Sequence, residues 1–182
     1  MNSTDLKNSI RTVPDFPVEG IQFRDITSLL ENPDAFNDAI VSMMQVLGKE
    51  INVNAIVGIE SRGFIFGSPL AWDMGIPLIL ARKPGKLPND SYKKDYKLEY
   101  GSATIEIQKN SAMPDSGILI IDDLIATGGT ALACADLIHE NWGIPKDQIS
   151  VLAVIDLPDL KGSEKIQSNG YNCYTLLEFN GE

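Results

Sequence analysis

The chain has 182 residues, 43% of them hydrophobic, and a formal net charge of −10, a length and apolar content that suit one compact domain. That charge repels phosphate backbones and acidic headgroups, so a general nucleic-acid or membrane-surface binder is excluded and any anion site must be local. With no apolar run of about eighteen residues, and neither a basic nor an apolar stretch in the opening MNSTDLKNSI, the expected setting is the cytoplasm, with no membrane partner.

Residues Leu6 to Val13 read as a short helix, ended by VPDFPVEG, whose prolines and glycine favour an extended or turning path. In ENPDAFNDAIVSMMQVLGKE, Asn32 is placed to cap, Pro33 suits the first helical position, and Phe36, Ile40, Met43 and Leu47 make one apolar stripe. NAIVGIE predicts a short buried strand, and SRGFIFGSPLAWDMG a glycine-bearing turn into a helix that stops at Gly75. IPLILARK is a further strand, followed by a long polar loop through Leu98. ATIEIQ alternates and predicts a half-exposed strand. GILIID, ISVLAVID and YNCYTLLEF are strands, with TALACADLIHENWG a helix between the first two. Continuously apolar strands separated by helices specify an α/β fold: an open, mainly parallel twisted sheet with helices on both faces. No repeat or long linker divides it, so 1–182 is expected to be a single domain. Cys134 and Cys173 stand far apart, outside any CxxC pair, and read as two packed thiols; the lone His139, in CADLIHEN, reads as structural.

Ligands of such sheets sit beyond the carboxyl ends of the strands. Three places qualify: Glu60, Ser61, Arg62 and Gly63 after AIVGI, Arg82 and Lys83 after LIL, and Asp122 and Asp123 after ILII. Between Arg82 and Lys97 the chain also gathers six of its fifteen basic residues, Arg82, Lys83, Lys86, Lys93, Lys94 and Lys97, against only Asp90 and Asp95. This is a cationic island in an acidic protein.

Ala126, Thr127, Gly128, Gly129 and Thr130 lie between a strand end and a helix start. Glycines let successive backbone N–H groups converge, and a helix N-terminus adds partial positive charge, so the turn suits a phosphate monoester. It lacks the lysine of GxxxxGK[ST] and the spacing of GxGxxG, which sets aside the ATPase and dinucleotide readings. Taken alone, it also suits an ordinary strand-to-helix turn capped by a threonine. The acids beside it favour a ligand: carboxylates near an anion site need another task, such as accepting from vicinal sugar hydroxyls or meeting a hydrated magnesium ion. A phosphorylated sugar satisfies both.

The run of an apolar strand, two acids and ATGGT resembles the phosphoribosyl-diphosphate signature of the type I phosphoribosyltransferases. PDFPVEGIQFRDIT, GIESRGFIFG, ARKPGKLP and LEYG stand in the order and spacing of its adenine-specific members, so the resemblance covers about Val13 to Leu177. It implies a small N-terminal hood over about residues 1–30 that recognises the base, and a mobile lid loop over 83–98. The implied reaction joins adenine N9 to the anomeric carbon of phosphoribosyl diphosphate, giving AMP and pyrophosphate, in a homodimer with no nucleic-acid partner. Magnesium is the implied cofactor, held mainly through substrate and water, with Asp122 and Asp123 as its nearest protein groups.

By that resemblance, the backbone of Ala126 to Thr130 and the hydroxyls of Thr127 and Thr130 hold the 5-phosphate, and Asp122 and Asp123 the ribose hydroxyls. Ser61 and Arg62 meet the pyrophosphate in a turn that in this family often holds a non-proline cis peptide. Arg82, Lys83 and Lys86 add cationic contacts, some of them across the dimer interface. Phe23 stacks on the purine, while Gln22 and Arg24 offer main-chain groups to its Watson–Crick edge. Glu99 is the proton-transfer residue toward purine N7, and Tyr100 helps close the site. Competing readings are a member acting on another base and a regulator that senses phosphoribosyl diphosphate; GIQFRDIT and LEYG oppose the first, and the lack of a separate basic module the second.

Overall fold

The computed structural model describes residues 3–48, 51–97 and 101–181. A short helix α1 (Ser3–Asn8) is followed by an antiparallel ribbon of β1 (Arg11–Pro14) and β2 (Gln22–Asp25), with Val13 opposite Phe23. The expected helix through Val13 is therefore wrong past Asn8: Arg11, Thr12 and Val13 are strand. One helical turn, α2 (Thr27–Leu30), leads to α3 (Pro33–Leu47), whose cap is as expected: Asn32 Oδ1 accepts from the N–H groups of Asp34 and Ala35 at 3.1 and 3.2 Å. Its buried stripe is Ala35, Ala39, Met43 and Leu47, leaving Phe36 and Ile40 at the margin. The helix turns its small residues inward and so lies close to its neighbours.

Then come β3 (Ala55–Ile59), α4 (Arg62–Met74), closed by Gly75 in the left-handed conformation, and β4 (Leu78–Ala81). Within the expected polar loop through Leu98 lies a strand, β5 (Ser91–Lys97), paired antiparallel with β6 (Ser102–Gln108). Nor is β6 half exposed at its centre: Ile105, Glu106 and Ile107 are all buried. The rest alternates β7 (Ile118–Ile125), α5 (Gly129–Trp142), β8 (Ile149–Asp156), α6 (Gly162–Ser168) and β9 (Asn172–Glu178).

The main sheet is parallel throughout, in the order β4-β3-β7-β8-β9. Its central strands are apolar on both sides because both sides are covered. Ile56, Leu119, Ile121 and Leu152 join the core that includes Phe66 and Leu70 of α4 and Met43 of α3. Val57, Ile118, Ile120 and Val151 join the core that includes Leu137 and Ile138 of α5. Between β3 and β7 the chain's winding reverses, and the crevice beyond their carboxyl ends is where such sheets take ligands.

Among the described residues, no helix is long and apolar enough to cross a membrane. Cys134 and Cys173 are free and buried, and His139 Nδ1 lies 2.7 Å from the Ile144 carbonyl oxygen, a structural bond that closes the end of α5.

Candidate active site

Side chains alternate along most of β7, Ile118 and Ile120 facing α5 and Leu119 and Ile121 facing α4, and at its end Asp122 and Asp123 line one cleft together. Asp122 is half-buried and its Oδ1 accepts from the Asp123 N–H at 2.9 Å. Asp123 is 2% exposed, with Oδ2 3.0 Å from Arg62 Nε but out of line for a hydrogen bond. Burial, and next the Asp123 charge, hold the Asp122 carboxyl well above the usual carboxylate range. Burial also raises Asp123, against the opposing pull of Arg62.

Arg62 comes within reach because α4 starts almost against β7. A Cβ on Gly63 would lie 2.2 Å from the Ile121 carbonyl oxygen, so only glycine permits the approach. The Glu60–Ser61 peptide joining β3 to α4 is cis, as the resemblance implied, and Ser61 stands at the N-cap of α4. Glu60 takes a role the sequence did not suggest. It binds Arg82 through both oxygens, at 3.2 Å from Nε and 3.0 Å from one terminal nitrogen, and accepts from the Lys83 N–H at 2.9 Å. The Arg82 guanidinium accordingly holds the Glu60 carboxyl below its usual range.

Much of the cationic island is neutralised in the same way. Besides Arg82, Lys93 pairs with the buried Glu106 at 2.8 Å, and Lys94 pairs with Glu140 on α5. Lys83 lines a cleft of about 580 Å³ with Glu60, Arg62, Tyr96, Asp122 and Thr130. Arg82 and Lys86 line neither this cleft nor its neighbour, and the Lys86 carbonyl accepts from Arg82 at 3.1 Å.

The neighbouring cleft, about 220 Å³, is walled by Arg62 and by every residue from Asp122 to Ala131. Its turn is bent by Gly128 at φ 71° and backed by the start of α6. A Cβ on Gly128 would stand 2.6 Å from the Gly162 carbonyl oxygen, and one on Gly162 would stand 2.1 Å from that of Ala126. The two glycines let backbone pack directly on backbone, which fixes the turn from behind at the N-terminus of a 14-residue helix. Such a turn has the form of an anion cradle.

Above it stands the β5–β6 hairpin. The Thr130 hydroxyl lies 3.3 Å from Tyr96 Oη, and the Lys97 carbonyl oxygen stands 3.2 Å from where a Gly129 Cβ would be. Tyr96, and Thr104 of β6, which also lines the larger cleft, were not among the expected residues; β5 carries lysine and aspartate between its tyrosines, which hid the strand.

Gln22, Phe23 and Arg24 lie in the β1–β2 ribbon and line neither cleft. Phe23 meets Phe16 edge-on at 5.0 Å, and Arg24 reaches Thr12, the Asn180 carbonyl and the Phe179 ring. Glu99 and Tyr100 lie outside the described residues. The structure therefore gathers Arg62, Lys83, Asp122, Asp123 and the 126–130 turn at one crevice.

Compared with known proteins, residues 25–158 match the family described as phosphoribosyl transferase domain. The adenine phosphoribosyltransferase of Chlorobaculum tepidum is 46% identical over 178 residues, which are 97% of this chain and 99% of that protein. The solved adenine phosphoribosyltransferase of Thermoanaerobacter pseudethanolicus superposes with a TM-score of 0.88 at 38% identity, over 98% of this chain and 100% of that one. The Giardia lamblia enzyme, complexed with 9-deazaadenine, superposes with a TM-score of 0.90 at 35% identity over 98% of each chain. Strand-end acids, a glycine cradle and near-full-length similarity agree, and the chain belongs to the phosphoribosyltransferase family, among the adenine phosphoribosyltransferases.

Proposed function

We propose that the chain salvages a purine: adenine and phosphoribosyl diphosphate give AMP and pyrophosphate, by attack of N9 on the anomeric carbon as the bond to pyrophosphate breaks. The observation that carries this reading is the 126–130 cradle, placed within one crevice of Asp122 and Arg62 at the reversal between β3 and β7. In the proposed pose the amides of 127–130 and the Thr127 and Thr130 hydroxyls take the 5-phosphate. Asp122 accepts from a ribose hydroxyl; Asp123, which lines the same cleft, holds Arg62 and offers its remaining acceptor capacity to the sugar.

The pyrophosphate then lies toward the 580 Å³ cleft, with Ser61, Arg62 and Lys83 beside it and Arg82 and Lys86 behind. A positioned sugar and fixed positive groups stabilise both the cationic sugar and the leaving anion without a nucleophilic side chain. Among the described residues no three carboxylate, histidine or cysteine groups gather as a metal cage. Two adjacent carboxylates nonetheless fit magnesium, which takes one or two carboxylates along with water and phosphate oxygens. Held near Asp122 and Asp123, the ion supplies charge neutralisation for the departing pyrophosphate.

The base is assigned to the hood, residues 1–30, with Phe23 stacking and the main chain of Gln22 and Arg24 reading the purine edge. A backbone donor and acceptor matched to adenine would leave buried groups unpaired against a 6-oxo purine. Glu99 is assigned the proton transfer and Tyr100 the closing of the site. We assign the chain to a homodimer: Ile65 and Trp72 are seven residues apart on one face of α4, Trp72 is 84% exposed, and a second copy would cover them. The two unpaired thiols suit the reducing cytoplasm. Incubation with magnesium, phosphoribosyl diphosphate and, in turn, adenine, hypoxanthine and guanine tests the reading. AMP from adenine, with no product from the others, is expected; turnover of a 6-oxo purine but not adenine would overturn it.

A further inference from the structure

Along β5, Tyr92, Lys94 and Tyr96 share one face and are half-buried, and each meets α5. Tyr92 packs edge-on against Trp142 at 5.0 Å, Lys94 pairs with Glu140, and Tyr96 Oη lies 3.3 Å from the Thr130 hydroxyl. The hairpin is therefore fastened along the whole helix. Its last fastening differs from the others, because Thr130 also belongs to the cradle, and Tyr96 and Thr130 both line the larger cleft.

We propose that Tyr96 is a positioning residue that ties the seating of the β5–β6 hairpin to occupancy of the phosphate cradle through the Thr130 hydroxyl. The inference rests on the proposed function, since it needs a phosphate monoester in the cradle. As the structure stands, Thr130 donates to Tyr96 Oη. A hydroxyl has one proton to give and two lone pairs to receive with. When a phosphate oxygen claims the Thr130 proton, Tyr96 turns its own O–H toward Thr130 Oγ1, and the pair becomes a chain running from Tyr96 to Thr130 to phosphate. Chains ending on an anion strengthen each link, so an occupied cradle holds Tyr96 and the end of β5 more firmly than an empty one. By reciprocity, the seated Tyr96 holds the phosphate more firmly. The opposite face of the strand is fixed independently: Lys93 and Glu106 face each other across the hairpin, and the Arg82 and Glu106 backbones bond to each other at 2.9 and 2.8 Å. The end of β5 that carries Tyr96 can thus respond while Glu106 stays bonded to the chain after β4.

The test is a mutant cycle read as the dissociation constant of ribose 5-phosphate by calorimetry, with AMP formation measured on the same proteins. Tyr96→Phe should weaken binding about fivefold, which is about 1 kcal/mol at roughly 1.4 kcal/mol per tenfold, with kcat within about twofold of the unsubstituted enzyme. In a Thr130→Ala background the same change should cost nothing, because the group it acts through is gone. In a Thr130→Ser background, which keeps the hydroxyl, the fivefold cost should return. Thermal melts confirm that each variant is folded. Equal costs of Tyr96→Phe in the unsubstituted protein and in the Thr130→Ala background, or no cost in either, would overturn the coupling. Because the readout is binding, absence of AMP from every protein would count against the proposed function and leave the cycle interpretable.

Discussion

Replacing Gly162 with alanine would put a methyl group where the fold has backbone. Its Cβ would stand 2.1 Å from the Ala126 carbonyl oxygen and 2.7 Å from both Gly128 N and Ile125 Cγ2. Two of these are main-chain atoms of the cradle, so no rotamer change relieves the contact. Reaching the 3.4 Å of ordinary contact requires the start of α6 and the cradle to part by about 1.3 Å, and interiors this dense have little slack. A misplacement of about 1 Å is enough to cost roughly 100-fold in rate, and overpacking costs about 1–3 kcal/mol of stability. Gly162→Ala should therefore lower kcat/KM for phosphoribosyl diphosphate about 100-fold while the protein still folds. Gly143→Ala is the control: its φ is 70° but nothing lies within 4 Å, so it should lose about 1 kcal/mol of stability and keep its kinetics. Initial rates of AMP formation at saturating adenine, with urea melts of both variants, decide the matter. A folded Gly162→Ala enzyme with kcat/KM within threefold of the parent would refute the idea that Gly162 sets the cradle.

Asp122→Asn combined with Asp123→Asn should lower turnover by roughly two orders of magnitude or more without unfolding the protein; near-normal initial rates would remove both acids from the proposed roles. Asp122 also has a stability signature. Its folded pKa is raised by burial and then by Asp123, so its contribution is whole below the unfolded carboxyl range near pH 4 and is lost as pH rises through the folded value. Asp122→Asn should therefore stabilise the protein by roughly 0.5–2 kcal/mol at pH 7, with the gain shrinking toward pH 4; a pH-independent gain in chemical melts would contradict the assignment. Trp72→Glu should turn a dimer into a monomer in sedimentation, because it puts a charge on the exposed face of α4; an unchanged mass would place the interface elsewhere. Asn32→Ala removes the acceptor for two N–H groups and should cost about 1 kcal/mol in a melt, leaving KM untouched.

The parts of the site that could be read beforehand are those whose function is written in adjacent residues. ILII followed by Asp122, Asp123 and ATGGT carries strand end, acids and cradle in one stretch, and Asn32 with Pro33 marks a helix start by local chemistry alone. Contacts between distant residues left no such mark. Gly162 looks like an ordinary turn glycine in DLKGSEK, and only the fold reveals Gly128 behind it. The strand β5 was hidden because SYKKDYK has no apolar alternation; its inward face is made of tyrosines and a lysine that find Trp142, Glu140 and Thr130 on α5. The pairing within the cationic island was hidden in a similar way, since the acids that meet Arg82, Lys93 and Lys94, namely Glu60, Glu106 and Glu140, come from elsewhere in the chain. In α3 the bulky residues suggested the wrong stripe: a helix lying close to its neighbours buries Ala35 and Ala39 and leaves Phe36 and Ile40 at the edge. At β1 the prolines after Val13 were legible as a turn, but not as the return of a ribbon onto β2.

In the proposed complex the main-chain amides of the 127–130 turn grip the monoester while Asp122 meets the sugar. A crystal structure with AMP measures this directly. The phosphate oxygens should lie within about 3.2 Å of the Gly128 and Gly129 nitrogens, with a ribose hydroxyl at hydrogen-bond distance from Asp122. AMP bound with its phosphate away from that turn, and Gly128 and Gly129 untouched by it, would contradict the account.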